Sequence, residues 1–214
     1  MEVRKTFHQQ LDELYQDLLR MGNLVVEVIE KTRVAFGTLD EDMACAIIEG
    51  DDVIDDYVVK IEENGIELLA RQAPVAIDLR RIIVIMRLSQ HLERVADLCV
   101  NISKAIVNLQ DYTLSPWISD NMDEMFRRST TMMVRAMESF KERDTEKAAQ
   151  LSVMDDTVDR INRSFLTGTN RDSEDELELI IRVVMVSRFL ERIADHAVDI
   201  GEHVRYMVTG EFEA

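Results

Sequence analysis

The candidate functional residues of this chain are pairs of carboxylates that lie four residues apart. Four such pairs lie in segments with helical spacing of apolar residues, namely Asp51 with Asp55, Glu93 with Asp97, Asp155 with Asp159, and Glu191 with Asp195. Side chains four residues apart share one face of a helix, where two negative charges repel by roughly a few tenths of a kcal/mol. Carboxylate oxygens are also ligands of hard and borderline cations. The spacing therefore raises the question of which cation neutralises each pair.

Two of these pairs lie in a stretch that the chain contains twice. LSQHLERVADLCVNISKA begins at Leu88, and VSRFLERIADHAVDIGEH begins at Val186, 98 residues later. The other two pairs lie in DDVIDD and DDTVDR, which are 104 residues apart. Asp199 continues the acidic stripe of the second copy, where the first copy has Asn101, so Asp199 is a further candidate ligand.

Two interpretations of the acidic stripes remain open. In a three-helix bundle the second and third helices are antiparallel neighbours, so the two pairs of each half could converge on a metal site. Iron, manganese, zinc or magnesium would suit such a set of ligands. The alternative is a solvated face with salt bridges, in which Arg94 pairs with Asp97 and Arg192 pairs with Asp195. The duplication favours metal, although a duplicated gene also copies its surface.

Apolar periodicity predicts an all-α fold of six long helices. The predicted helices span about residues 3–36, 40–72, 75–109, 117–142, 145–168 and 175–208. The best candidate linker is 110–116, which contains one of only two prolines. The expected architecture is therefore two tandem three-helix bundles related by internal pseudo-symmetry, residues 1–112 and 113–214.

Several short signals refine the helix ends. Gly37 is expected to close the first helix. Thr38 and Ser173, each followed three residues later by Glu, are expected to begin capping boxes. Asp144 or Thr145 is expected to cap the fifth helix. Gly22, inside the first helix, indicates that a neighbouring helix approaches closely.

Composition restricts the possible partners. The formal net charge is −17, from 42 acidic and 25 basic residues, which argues against unaided binding to nucleic acid or anionic lipid. Cys45 and Cys99 lie far apart in predicted helices, so both are expected to be reduced cysteines in the core. With neither an apolar leader nor a long apolar run, the chain is expected to be soluble and cytoplasmic. His203 is expected to be exposed to solvent.

No catalytic motif is evident. The sequence contains no G-x-S-x-G, glycine-rich phosphate loop or H-E-x-x-H motif. It also lacks the Glu-x-x-His spacing of di-iron bundle enzymes. We therefore predict that the protein is not an enzyme, with a carboxylate-bridged metal enzyme and a purely structural helical adaptor as the alternatives.

These motifs resemble those of the PhoU family, which regulates bacterial phosphate uptake. The resemblance rests on MGNLVVE from Met21, LERVADLCVNI from Leu92, LERIADHAVDI from Leu190, and the acidic pairs of DDVIDD and DDTVDR. It extends over essentially the whole chain. It implies that the E(D)-x-x-x-D pairs bind metal clusters, and that the first-half site is the weaker because of Asn101.

The resemblance also implies a function without catalysis. A PhoU-like protein would be a cytoplasmic homodimer acting peripherally at the membrane. It would couple the ATPase subunit of a phosphate ABC transporter to a sensor histidine kinase through protein contacts. The expected role is negative regulation of the phosphate-starvation response and hence of phosphate homeostasis.

Overall fold

The computed structural model describes residues 2–167 and 174–211. All regular elements in these two ranges are helices, so the all-α prediction is confirmed. They are α1 (Glu2–Thr38), α2 (Glu41–Glu49), α3 (Asp52–Gln72), α4 (Ala76–Val107), α5 (Pro116–Glu142), α6 (Thr145–Thr167) and α7 (Glu174–Thr209). Within the described residues, no helix combines the length and apolar character needed to cross a membrane.

The second helix of the first half is interrupted, so the prediction of one continuous helix over 40–72 is wrong at that point. The Gly50 N–H donates to the carbonyl oxygens of Ala46 and Ile47, which closes α2. Asp51 follows in helical conformation, and α3 begins at once. The described chain therefore fills six bundle positions with seven helical segments.

The helix ends agree with the predicted caps only in part. α1 extends through Gly37 to Thr38 and ends before Leu39, whose φ is 50°. Asp40, rather than Thr38, caps α2, because its carboxylate accepts from the Met43 N–H at 2.9 Å. The capping box expected from Thr38 is therefore wrong. The expected cap at Asp144 is confirmed, since its side chain accepts from two N–H groups of the first turn of α6. Ser173 lies outside the described residues.

The two halves share one hydrophobic core. α1 to α4 pack together, as do α5 to α7, and the halves meet where α4 lies along α7 and α1 lies along α5. A single cluster of buried apolar side chains includes residues from all of these helices. α4 contacts α1, α2 and α3, α7 contacts α5 and α6, and α4 and α7 contact each other.

Close packing between the halves explains one glycine. A Cβ built on Gly22 of α1 would lie 2.5 Å from Cε of Met137 on α5, so the predicted close approach is confirmed. Met137 belongs to a set of buried methionines along α5, at positions 122, 125, 132, 133 and 137.

The two cysteines have different environments. Cys99 of α4 is buried, as predicted, but Cys45 is exposed, so its assignment to the core is wrong. The physical reason is that Ala44 and Ile47 form the buried face of α2, with Met43 packed beside it, whereas Cys45 lies on the solvent-exposed side.

Candidate metal centres

The second-half quartet comprises Asp155 and Asp159 of α6 with Glu191 and Asp195 of α7. α6 packs against α7, and buried apolar residues adjoining these carboxylates hold the helices together. Each acidic pair therefore faces the other across the helix contact, as the sequence predicted for neighbouring helices.

The carboxylates of the second-half quartet lie near enough to one another to perturb each other's pKa values. Burial raises the pKa of Asp155 to about 6, assisted by the negative charges of the other three members. Burial is also the main cause of the raised pKa values of Glu191 and Asp195, and Asp159 contributes to both. Each shift disfavours the charged carboxylate in the absence of a counter-cation.

Two oxygens of this quartet lack hydrogen-bond partners. Asp155 Oδ1 and Glu191 Oε2 are both buried and accept no hydrogen bond from the described residues. A buried acceptor without a partner costs about 1–3 kcal/mol. A cation bound between these carboxylates would satisfy both oxygens, but no three of the quartet's residues bring oxygens within 4.8 Å of one another, so the side chains would have to turn towards the ion.

The first-half quartet comprises Asp51 and Asp55 with Glu93 and Asp97 of α4. Burial raises the pKa of Asp51, followed by the charges of Asp55 and Asp97. Burial likewise raises the pKa of Glu93, followed by the charge of Asp97. The two acidic pairs of this half therefore also lie close together. Asn101, further along α4, is exposed.

Arginines border both quartets, as the salt-bridge interpretation predicted, and metal binding stays a prediction. Arg94 contacts Asp97 at 3.2 Å, as that interpretation predicted, and it also contacts Glu93 at 3.4 Å. In the second half, Glu191 accepts from Arg188 at 3.5 Å. These contacts are long for charge-assisted hydrogen bonds, and their arginines are more than half exposed.

Asp199 lies in a different cluster. Its Oδ2 is 3.6 Å from Nδ1 of His91 and 3.7 Å from Nδ1 of His196. His196 chiefly lowers the pKa of Asp199, whereas the pKa values of Asp155, Glu191 and Asp195 are raised. Sequence reasoning placed Asp199 on the acidic stripe, but α4 brings His91 to it from the other half.

His203 also belongs to this region, so its predicted exposure to solvent is wrong. Its ring centroid is 5.3 Å from that of His91, and the side chain is half-buried. The cause is the packing of α4 along α7, which covers one face of this part of α7.

The duplicated geometry has a counterpart among known proteins. A family model described as the PhoU domain matches this chain twice, over residues 18–106 and 122–204. The chain belongs to the PhoU family. Each match contains one complete carboxylate quartet.

PhoU proteins are similar to this chain over nearly its full length. A phosphate-specific transport system accessory protein PhoU homolog from Clostridium acetobutylicum is 34% identical over 213 residues, covering 98% of this chain and 97% of that protein. The Thermotoga maritima protein described as homolog 1 of the same accessory protein is 30% identical over 208 residues, covering 96% of this chain and 90% of that protein.

Two solved PhoU structures have the same fold. The crystal structure of the phosphate transport system regulatory protein PhoU from Streptococcus pneumoniae matches with a TM-score of 0.89 and 29% identity, covering 97% of this chain and 99% of that one. The crystal structure of PhoU from Pseudomonas aeruginosa matches with a TM-score of 0.90 and 30% identity, covering 96% of this chain and 100% of that one.

Sequence reasoning found both quartets but missed the cluster of His91, His196 and Asp199. The spacing of His196 and Asp199 by three residues was a visible signal of a shared helix face. Nothing in the sequence paired them with His91, which is 105 residues away from His196.

Proposed function

We propose that this PhoU-family protein is a non-enzymatic negative regulator of phosphate uptake and of the phosphate-starvation response. The observation that carries the proposal is the match of both halves to the PhoU domain, with full-length relatives named as accessory proteins of phosphate-specific transport. In this proposal the protein works in the cytoplasm as a homodimer. It couples the ATPase subunit of a phosphate ABC transporter to a sensor histidine kinase.

Charge supports regulation through protein contacts. The chain carries a formal net charge of −17, which disfavours operator DNA and favours basic surfaces on partner proteins. Contacts between exposed charges weaken with salt, because the Debye length is roughly 8 Å at physiological ionic strength.

Co-purification tests the proposed contacts. The protein is used to capture the transporter ATPase subunit and the cytoplasmic part of the sensor kinase at low and at high salt. We expect at least one of them to be recovered at low salt and less of it at high salt. Recovery of neither partner at either salt concentration would contradict coupling through direct contacts.

We further propose that both carboxylate quartets bind metal ions, with iron, manganese, zinc and magnesium as the candidates. The buried, unpartnered oxygens of Asp155 and Glu191 support this assignment most strongly. A bound cation would supply the positive charge that the converging carboxylates lack. The first-half site is expected to be the weaker, because Arg94 already contacts two of its members.

Elemental analysis of protein purified without a histidine tag tests the metal proposal. We expect stoichiometric metal in the wild-type protein and a reduced content in the double variant Glu191→Gln/Asp195→Asn. The matched first-half variant, Glu93→Gln/Asp97→Asn, should lose less metal. Equal, substoichiometric metal in all three proteins would instead favour salt-bridged surfaces.

A further inference from the structure

Three of the four histidines of the chain meet where α4 packs against α7. Nδ1 of His91 and Nδ1 of His196 are 3.1 Å apart. Oδ2 of Asp199 completes a triangle with edges of 3.6 and 3.7 Å to these nitrogens. Among the described residues, this is the one group of three potential ligands whose donor atoms all lie within 4.8 Å of one another.

The triangle has the size that a small divalent ion requires. Zinc bonds of about 2.0–2.2 Å in a tetrahedron hold the ligand atoms about 3.3–3.6 Å apart. The observed edges of 3.1, 3.6 and 3.7 Å bracket that separation, so an ion can reach all three atoms with little side-chain movement.

Hydrogen bonding alone does not account for this arrangement. One imidazole can donate to the other at 3.1 Å, but both carboxylate separations exceed the usual range of about 2.7–3.2 Å. Asp199 therefore lies close enough to both nitrogens to share an ion with them, yet too far to form a good hydrogen bond with either.

The environment suits ligation and provides an entry path. The side chains of His91 and His196 are 21% and 17% exposed, whereas that of Asp199 is 48% exposed. Burial lowers the pKa of His91 to about 4, which keeps its imidazole neutral, the form that binds metals. Arg87 lies near His91 and opposes a bound cation, and the carboxylate of Asp199 offsets it.

This cluster is not a copy produced by the duplication. At the offset of 98 residues, the counterpart of His91 is Phe189, that of His196 is Leu98, and that of Asp199 is Asn101. A surface merely inherited from the duplicated unit would have an equivalent set in the other half. The three ligands instead arise separately and meet only because α4 contacts α7.

We infer that His91, His196 and Asp199 form a binding site for a borderline divalent transition metal of the Zn²⁺ class, with water completing the coordination. Two imidazoles and one carboxylate suit such an ion better than the all-oxygen quartets do. Because His91 comes from the first half and the other two ligands from the second, the ion links the two halves of the molecule. This inference does not depend on metal binding by the quartets.

Cobalt absorption tests the site, because tetrahedral Co²⁺ with nitrogen ligands absorbs far more strongly in the visible range than octahedral Co²⁺ with oxygen ligands. We expect tag-free, metal-stripped protein to develop this band with one equivalent of Co²⁺ and to lose it when Zn²⁺ is added. His91→Ala and His196→Ala should abolish the band. Asp199→Asn removes a direct ligand and should weaken binding by more than the roughly 10- to 100-fold that loss of an outer-shell partner costs.

Two matched controls separate this site from others. His8→Ala removes the exposed fourth histidine, and Asp155→Asn/Glu191→Gln disables a quartet. Both variants should keep the cobalt band. Its absence from the wild-type protein, its survival in His91→Ala, or its loss in either control would overturn the inference.

A measurement on the wild-type protein covers the case in which a variant fails to fold. Diethyl pyrocarbonate modifies accessible imidazoles, and mass spectrometry locates each modified residue. Zn²⁺ should slow modification of His91 and His196 and leave that of His8 unchanged. Equal modification rates with and without Zn²⁺ would contradict the site.

Discussion

At the scale of single residues, burial of Asp155 among other carboxylates disfavours the folded state at neutral pH when no metal is bound. The folded-state pKa of this side chain is raised to about 6 from an ordinary value of 3.8. Between these two values the folded protein binds more protons than the unfolded chain does, so stability falls as the pH rises through that window. Residues that cost stability in the apo protein and lie together are typical of functional sites.

We predict opposite effects of Asp155→Asn with and without metal. In chelator at neutral pH, the variant should be more stable than the wild type by on the order of 1 kcal/mol, allowing for solvent screening, because a buried charge is removed. With metal present, it should gain less stability than the wild type does. Thermal melts from pH 4 to pH 8 measure both effects.

The control for this prediction is Asp156→Asn, which changes the adjacent, exposed carboxylate. This variant should resemble the wild type in its response to metal. A stability of Asp155→Asn below that of the wild type in chelator would contradict the assignment of Asp155 as a destabilising residue.

The two cysteines give a second prediction at the residue scale. Burial raises the pKa of the Cys99 thiol to about 12, so both access and thiolate formation are suppressed, whereas Cys45 is exposed. A thiol reagent should modify one cysteine rapidly in the native protein and the second only in denaturant. Mass spectrometry should identify the first as Cys45, and rapid native modification of Cys99 would show that α4 is not buried there.

At the scale of elements, the sequence predicts helices better than it predicts their ends. Apolar periodicity places the long helices because each has a continuous buried face. The break at Gly50 and Asp51 was missed because the periodicity continues across it, and only tertiary packing decides whether such a helix bends. The cap at Asp40 was missed because a Thr38 capping box competed with it, and α1 extends through Thr38 instead.

Glycine substitutions test the helix packing. A Cβ on Gly201 of α7 would lie 2.7 Å from Leu151 Cδ1 and 3.1 Å from the backbone oxygen of Ala148. Gly201→Ala should therefore lower the free energy of unfolding by about 1–2 kcal/mol, since overpacking outweighs the gain in helix propensity. Denaturant melts measure the change.

Gly37→Ala is the matched control, because a Cβ there would meet nothing within 4 Å. This variant should be neutral or should be stabilised by up to about 1 kcal/mol. If Gly201→Ala were as stable as Gly37→Ala, α6 and α7 would not approach as closely as described.

At the scale of the whole molecule, the shared core should make the two halves unfold together. Trp117, the single tryptophan, packs against Phe165 in the second half, and Cys99 is buried in the first. Tryptophan fluorescence and Cys99 reactivity should therefore show the same denaturation midpoint in metal-free protein. Two separated midpoints would mean that the halves are independently stable.

The duplication explains which sites were visible in the sequence. Both quartets occur at equivalent places in the two halves, so comparing the chain with itself reveals them. The cluster of His91, His196 and Asp199 joins non-equivalent positions of different halves, at a separation that no repeat offset predicts. Only the packing of α4 along α7 brings these residues together.

A phosphate-responsive reporter in a strain that lacks the protein measures whether this PhoU-family protein restrains the phosphate-starvation response, as we propose. In phosphate-rich medium, we predict high reporter activity in the deletion strain, and repression when the wild-type protein is restored. Full repression in the deletion strain under these conditions would contradict the proposed regulatory function.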